Sequence, residues 1–171
     1  MKFIFREATE GDLPAILALY GQLGQDDGTV LSLDAALSLF SRLKSYPDYR
    51  IHVAVADNHI VGTFAMLVMD NMAHCGARSA ILEDIVVEEE KRGQGIGKAM
   101  MAYAGTLCQE KKCYKMVLNS NQNRERAHRF YQALGYERHG YSFAIFPAAP
   151  TTGTEGRTER SLELMDKNND Q

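Results

Sequence analysis

Residues 81–98 read ILEDIVVEEEKRGQGIGK, and this stretch decides the fold. An apolar, strand-like run leads through an acidic turn into a glycine-rich loop with basic ends. The loop opens directly onto an amphipathic helix, whose apolar face comprises Ile96, Met100, Ala104 and Leu107. The first N–H groups of a helix lack partners, and the helix dipole favours negative charge beside them. A strand, a glycine loop and a helix start therefore predict a pyrophosphate-binding site.

Composition sets the class of protein. The chain has 171 residues, of which 45% are hydrophobic, and this predicts one globular domain over residues 1–147. Residues 148–171 are polar and rich in Thr, Gly, Glu and Asn, so we expect a flexible C-terminal tail. The net charge of −3 argues against a nucleic-acid or membrane-surface partner. Three cysteines, with no apolar run typical of a signal peptide or a bilayer span, favour reduced thiols and a cytoplasmic protein.

The order of elements is mixed rather than a regular alternation of strand and helix. We expect strands at 3–6, 50–56, 60–69, 79–87, 115–120, 136–138 and 141–146, and helices after Thr9, over 32–44, from Ile96 and around 127–134. Asp57-Asn58 has the composition of a hairpin turn, and Gly135 suits the residue after a helix end. The pattern β-α-α-β-β-β-α-β-α-β predicts the α/β class.

The glycine loop fails two of the patterns to which it is similar. A Walker loop needs Gly at position 92 and Ser or Thr at 99, where this chain has Arg92 and Ala99. A dinucleotide-binding fingerprint that starts at Gly93 needs Gly or Ala at 98, where this chain has Lys98. Residues 92–97, RGQGIG, match a third pattern: Arg or Gln, two residues, Gly, one residue, Gly or Ala. A plain tight turn is the simpler explanation of such a loop when it stands alone.

A second segment favours function over a plain turn. Residues 123–136 read NRERAHRFYQALGY, and together with the loop they resemble the GNAT superfamily of acyl-CoA N-acyltransferases. The resemblance covers residues 3–146 in element order and is motif-specific over 82–136. It implies a mixed central sheet flanked by helices, in which two parallel strands, here 81–87 and 115–120, splay apart around the thioester.

The resemblance also implies acetyl-CoA as co-substrate and no metal. Backbone groups of Ile85, Val86 and Val87 would hold the pantetheine arm, and the pyrophosphate would be held by Arg92, Gly93, Gln94, Gly95, Ile96, Gly97 and Lys98. Asn119 or Asn123 would hydrogen-bond the pantetheine amides. Arg124 or Arg126 would reach a nucleotide phosphate, although we favour a solvated helix face for both.

The catalytic roles follow from the chemistry of amine acylation, which needs a base, an oxyanion donor and an acid for the leaving thiolate. Tyr131 matches the family's usual acid. Glu83 is the candidate base, through water, with Asp84 as the alternative, because neighbours on a strand face opposite sides. The Val86 N–H is the oxyanion donor that the resemblance implies.

These residues predict an N-acetyltransferase that moves the acetyl group of acetyl-CoA directly to a primary amine, most simply that of a small molecule. The alternatives are a protein N-acetyltransferase and a non-catalytic acyl-CoA-binding or regulatory module. Asp26 and Asp27 lie in a loop that often borders the acceptor site in this family, although we favour a solvated loop tip for both. A homodimer is common in the family and is a further expectation.

Overall fold

The computed structural model describes residues 3–24 and 28–145. Its elements are β1 (Ile4–Glu7), α1 (Leu13–Gly21), α2 (Leu33–Lys44), β2 (Tyr49–Ala56), β3 (His59–Met69), β4 (Arg78–Val87), α3 (Ile96–Glu110), β5 (Cys113–Leu118) and α4 (Glu125–Ala133). This order is the predicted one as far as α4. Across these two ranges, no helix has the length and apolar character needed to cross a bilayer.

The five strands form one sheet in the order β1-β2-β3-β4-β5. Every pair is antiparallel except β4 and β5, which are parallel. The β2–β3 hairpin turns at Asp57 and Asn58, whose φ angles are 48° and 63°, as the primed turn of a two-residue hairpin requires. The predicted mixed α/β fold is therefore confirmed.

Helices cover both faces of the sheet. Apolar side chains of β2 point alternately to the two faces, and each face packs against helices. Val53 belongs to a core cluster with Leu13 and Ile16 of α1 and with Phe40 of α2. Ala54 belongs to a second cluster built on α3 and the neighbouring strands. Consecutive strand residues point to opposite faces, so α1 and α2 cover one face and α3 covers the other.

The start of α1 is fixed by a buried carboxylate. Asp12 accepts two hydrogen bonds from the Arg6 guanidinium, at 2.6 and 2.9 Å, and one from the Thr9 N–H at 2.7 Å. Thr9 and Asp12 lie three residues apart, the spacing of a capping box, and Arg6 on β1 adds an ion pair to them. This cluster ties the first helix to the first strand.

The predicted strand at 136–138 is wrong. The N–H of Gly135 donates to the Gln132 carbonyl and the N–H of Tyr136 donates to the Tyr131 carbonyl, both at 3.0 Å. With Gly135 at φ +86°, this is the Schellman arrangement that ends a helix. Tyr136 thus closes α4 instead of opening a strand.

The predicted strand at 141–146 is also wrong as far as residue 145. The chain divides after Tyr136, and residues 137–145, the described part of the second unit, contain no helix or strand. Tyr141, Phe143 and Ile145 alternate as in a strand, but each is about nine-tenths exposed, at 93%, 92% and 88%. Alternation predicts a strand only where one face is covered. The boundary predicted between 147 and 148 lies outside the described residues, and the domain division stays a prediction.

Candidate active site

β4 continues beyond the end of its parallel partner β5. Their pairing runs from Arg78–Cys113 to Leu82–Leu118, where β5 ends, whereas β4 continues to Val87. On its other side, β4 still pairs with β3, with Val87 opposite Gly62. Residues 83–87 therefore have one edge without a strand partner in the described ranges, and its backbone N–H and C=O groups face an open gap. This open edge lies where the resemblance implied that the two strands splay apart, and the splay itself stays a prediction.

A bulge in β4 lies where the pairing with β5 ends. The register against β3 shifts between Thr63 and Ala65, and Asp84 has φ +52°, in the left-handed region. We expected Glu83 and Asp84 to face opposite sides, and the bulge interrupts the alternation on which this expectation rests. Both side chains are partly exposed. Burial raises the pKa of the Tyr49 phenol, and the charges of both Asp84 and Glu83 raise it further, so the two carboxylates act on the same group.

The two carboxyl groups hold their protons more tightly than free ones. Partial burial raises the pKa of Glu83, the charge of Asp84 raises it further, and the Asn119 side chain opposes the rise by hydrogen bonding to the carboxylate. Burial also raises the pKa of Asp84. Asn119 directly follows β5, and the last β4–β5 pair, Leu82–Leu118, directly precedes both Glu83 and Asn119, so the two predicted site residues lie near each other where β5 ends. A carboxyl with a raised pKa suits a general base.

The glycine loop has the backbone of an anion site. Gly93 and Gly95 have φ +82° and +84°, which favour glycine, and a Cβ on either would meet no atom within 4 Å. Gly95 is the N-cap of α3 and provides no side-chain cap. Between residues 28 and 145, no hydrogen bond is donated by a backbone N–H from Gly93 to Lys98, and the first helical bond runs from Ala99 to Gly95. Amides without a partner at the start of a helix are the groups that an anion site requires.

The side chains of the glycine loop differ in their contacts and in their exposure. Arg92 donates from Nε to the Val87 carbonyl at 3.1 Å and from Nη1 to Glu89 Oε1 at 3.3 Å, so it ties the loop to the end of β4. Lys98 and Gln94 are exposed, whereas the Ile96 side chain is buried in the core and offers only its backbone to a ligand. Their predicted roles in binding stay predictions.

Gly97 provides space for α4. A Cβ at Gly97 would lie 3.1 Å from Phe130 Cζ and 3.7 Å from Val87 Cγ2, so a larger residue would push the Phe130 ring away. The Tyr131 ring packs beside Phe130, with the two ring centroids 5.2 Å apart. Burial raises the pKa of Tyr131, and the charge of Arg124 opposes the rise. The phenol therefore keeps its proton at neutral pH, as an acid must.

Asn123 and Ser120 stand at the edge of this region. Asn123 is exposed before α4, where its N–H donates to Asn121 Oδ1 at 2.9 Å. Its predicted contact with pantetheine stays a prediction. The buried Ser120 Oγ has no hydrogen-bond partner among the residues that the structure describes, and the sequence pattern gave no sign of it. It follows Asn119 and is a polar group available to a ligand.

Sequence reasoning also missed a cavity between α1, α2 and β2. It measures about 220 Å³, and Asp84 lies on its wall. Its other walls come from the apolar faces of the two helices, which the pattern alone assigns to the core. The predicted pair Asp26 and Asp27 lies outside the described residues. Within 3–24 and 28–145, no group of three or more His, Cys, Asp or Glu side chains is placed to hold a metal.

Comparison with known proteins agrees with this geometry. The sequence model of the family described as "Acetyltransferase (GNAT) domain" matches residues 47–138, which include the sheet from β2 to β5, the glycine loop and α4. The chain belongs to the GNAT acetyltransferase family. The resemblance drawn from the glycine loop and the Tyr131 segment is confirmed.

Three similar proteins show how far the match extends. The "Probable glucosamine 6-phosphate N-acetyltransferase" of Drosophila melanogaster is 32% identical over 102 residues, 58% of this chain and 45% of that protein. The "Aminoalkylphosphonate N-acetyltransferase" of Salmonella typhimurium is 26% identical over 138 residues, 81% of this chain and 87% of that protein. A solved structure named as a transcriptional regulator from Bacillus halodurans C-125 has a TM-score of 0.78 at 25% identity, over 85% of this chain and 99% of that one. The chain thus spans about half the length of the fly relative.

Proposed function

We propose that the chain transfers the acetyl group of acetyl-CoA directly to a primary amine of a small molecule. The observation that carries the proposal is the open edge of β4, which has the glycine loop at one end and polar site residues at the other. At one end, the glycine loop presents free amides to an anion. At the other, Glu83 on β4 and Asn119 after β5 directly follow the last β4–β5 pair.

The residues present fit acetyl-CoA. The unpartnered amides from Gly93 to Lys98 suit the pyrophosphate, and Arg92 and Lys98 add positive charge nearby. The open backbone edge over residues 85–87 suits the amide-bearing pantetheine arm, because that arm can hydrogen-bond as an added strand would. Asn119 and Asn123 are the side chains that we assign to the same arm.

Acetyl transfer then needs three groups of this chain. Glu83 takes the proton of the ammonium group through water, which frees the nitrogen lone pair for attack. The Val86 N–H donates to the thioester oxygen as that oxygen becomes negative. The new C–N bond forms, the C–S bond breaks, and Tyr131 gives its proton to the departing sulfur. The nitrogen then loses its second proton, which returns through water to the Tyr131 phenolate, and Glu83 releases its proton to solvent. The products are an amide and the free thiol, so no metal and no covalent enzyme intermediate is needed.

A non-catalytic acyl-CoA-binding module is the second candidate, and the structural likeness to a protein named as a transcriptional regulator favours it. A free, neutral Tyr131 argues for the enzyme instead. A protein amino group as acceptor is the third possibility. A cytoplasmic location, a homodimer and the absence of nucleic-acid, membrane and metal partners belong to the same proposal.

Two measurements separate these candidates. Titration calorimetry measures the affinity for acetyl-CoA, and a thiol-release assay measures turnover with small amines and with a peptide that has a free N-terminus. The proposal expects binding together with turnover on at least one small amine. Binding without turnover on any acceptor identifies the module, turnover on the peptide alone identifies a protein acetyltransferase, and a failure to bind acetyl-CoA overturns all three.

A further inference from the structure

We propose that the acceptor is an apolar primary amine, an alkylamine or an arylalkylamine. Its hydrocarbon body would fill the cavity between α1 and α2, and its ammonium group would meet Asp84. This inference rests on the proposed acetyl transfer and adds to it the class of substrate.

The walls of the cavity are hydrocarbon. α1 contributes Ile16 and Leu17, α2 contributes Leu39 and Phe40, and β2 contributes Ile51. The volume of about 220 Å³ equals that of roughly seven water molecules at ~30 Å³ each, which is enough for a hexyl or phenylethyl group. Such walls favour a ligand that leaves water through its apolar surface.

The mouth of the cavity is apolar as well. Val30 and Leu31, which precede α2, line it and remain 41% and 48% exposed. Exposed apolar side chains that converge on a cavity are typical of a binding site, whereas single ones scattered over a surface are not. An apolar body would cover both side chains.

The charge of the cavity selects a cation. Among the described residues that line it, Asp84 is the one charged side chain, and no Lys or Arg is present. A phosphate or phosphonate on the acceptor would find no partner there and would be repelled by the carboxylate. The cavity therefore disfavours the acceptors that the names of the fly and Salmonella relatives state.

The position of Asp84 connects the cavity to the reaction. Asp84 follows Glu83 in the bulge, just beyond the last β4–β5 pair. A nitrogen held at Asp84 thus lies beside the open edge of β4, where the thioester is expected. The Tyr20 phenol also lines the cavity, and burial together with the charge of Asp84 raises its pKa, so it stays a neutral hydrogen-bonding group.

The first test is a thiol-release assay with saturating acetyl-CoA and six amines: propylamine, butylamine, hexylamine, 2-phenylethylamine, glucosamine 6-phosphate and aminomethylphosphonate. We expect kcat/KM to rise about threefold to fourfold for each added methylene from propylamine to hexylamine, since each buries more apolar surface. Hexylamine and 2-phenylethylamine should exceed both phosphorylated amines by at least tenfold.

The second test compares two exposed leucines that lie two positions apart. Leu31 lines the cavity at 48% exposed, whereas Leu33 is outside the lining at 44% exposed. Leu31→Ser should lower kcat/KM about threefold to tenfold for hexylamine and by a smaller factor for propylamine, because the longer chain loses more of the contact. Leu33→Ser should leave both amines unchanged. Binding of acetyl-CoA serves as the check that each variant is folded.

A third variant tests the anchor of the ammonium group. Asn tolerates the left-handed backbone of residue 84 as Asp does, so Asp84→Asn removes the charge and keeps the bulge. We expect KM for hexylamine to rise at least tenfold, with a smaller change in kcat. A loss confined to kcat would show that Asp84 acts in the chemistry and does not hold the amine.

The outcomes separate this inference from the proposed function. If glucosamine 6-phosphate or aminomethylphosphonate is acetylated as well as hexylamine, or if kcat/KM does not rise with chain length, the substrate class is wrong and acetyl transfer stands. If acetyl-CoA binds and no amine is acetylated, both proposals fail.

Discussion

The glycine loop and the α1–α2 cavity are the two halves of one candidate site. The loop offers backbone groups to a ligand, whereas the cavity offers side chains. In the proposed site the loop would bind with backbone: among the described residues, its amides from Gly93 to Lys98 have no partner, and a Cβ on Gly93 or Gly95 would meet no atom within 4 Å. The cavity would bind with side chains, which come mainly from two helices, and Asp84 is the one charged residue among the described residues that line it.

This difference separates what is common to the family from what is particular to this chain. A backbone site depends on glycine positions, so it can stay the same while other side chains change. A side-chain cavity changes with every leucine that is replaced. The coenzyme half therefore defines the chemistry and the cavity defines the acceptor, and variants in each half should affect different measured quantities.

The largest expected effect is on chemistry at the coenzyme half. Tyr131→Phe removes the proton that the departing sulfur needs, so turnover should fall by about 10²-fold, in the lower range of general acid catalysis. The affinity for acetyl-CoA should change by less than about twofold, because the ring and its packing against Phe130 remain. Steady-state kinetics and titration calorimetry measure the two quantities.

Tyr136→Phe is the matched control for this prediction. Its ring centroid lies 5.7 Å from that of Tyr131, and its hydroxyl contacts Met101 Sδ at 3.8 Å. We expect nearly unchanged turnover. Equal losses in the two variants, or none at Tyr131, would remove Tyr131 from the mechanism.

The next effect is on binding. Gly95→Ala puts a Cβ on a residue at φ +84°, which costs about 1–2 kcal/mol, and it disturbs the start of α3. Acetyl-CoA affinity should fall about tenfold, measured by calorimetry. Gly76→Ala carries the same kind of strain, at φ +78°, in the turn before β4, and should leave that affinity unchanged. A drop of similar size in both variants would show a general loss of stability.

The sequence predicted the local structure around the glycine loop well because that structure depends on neighbouring residues. Glycine positions, the helix start and the strand before it lie within 18 consecutive residues, 81–98, and the family pattern identifies them. The capping pair of Thr9 with Asp12 and the turn at Asp57 were predictable for the same reason. Each depends on neighbours along the chain.

The rest depends on contacts between distant segments. The bulge at Glu83 and Asp84 depends on pairing with β3, which a strand pattern does not show. The cavity lies between α1 and α2, whose apolar faces look like ordinary core in the sequence. The alternation at 141–145 predicted a strand, yet its apolar side chains are exposed. The prediction failed because alternation does not reveal whether a face is covered.

A stability effect belongs to the acceptor half, which is built on α1. Asp12→Asn removes the paired carboxylate at the start of that helix and should lower the free energy of unfolding by about 1.5 kcal/mol, measured in urea at pH 7. Hydrogen bonding by Arg6 holds the pKa of Asp12 below its usual range. The contribution is therefore complete above the ordinary carboxyl pKa of about 3.9 and is lost as the pH falls below it.

The matched variant is Asp34→Asn, an exposed acid in the first turn of α2. It should cost little at either pH. The difference in free energy of unfolding between wild type and Asp12→Asn should become smaller when the measurement is repeated near pH 3. The acetyl-CoA affinity of the variant at pH 7 should stay the same. A gap that widens on acidification would contradict the assigned role of Arg6.

The smallest expected effect joins the two halves at the bulge. Glu83 acts as a base only when ionised, so kcat/KM should fall as the pH drops through its raised pKa. The charge of Asp84 contributes to that rise, and the two carboxyls titrate as a coupled pair. Asp84→Asn removes this contribution, so the acidic limb of the normalised pH profile should move to lower pH, by less than about one unit. A limb that stays in place, or moves to higher pH, would mean that the group seen in the profile is not Glu83. In that case the acidic limb should also remain in Glu83→Gln. If Glu83 is the base, the acidic limb should disappear in Glu83→Gln.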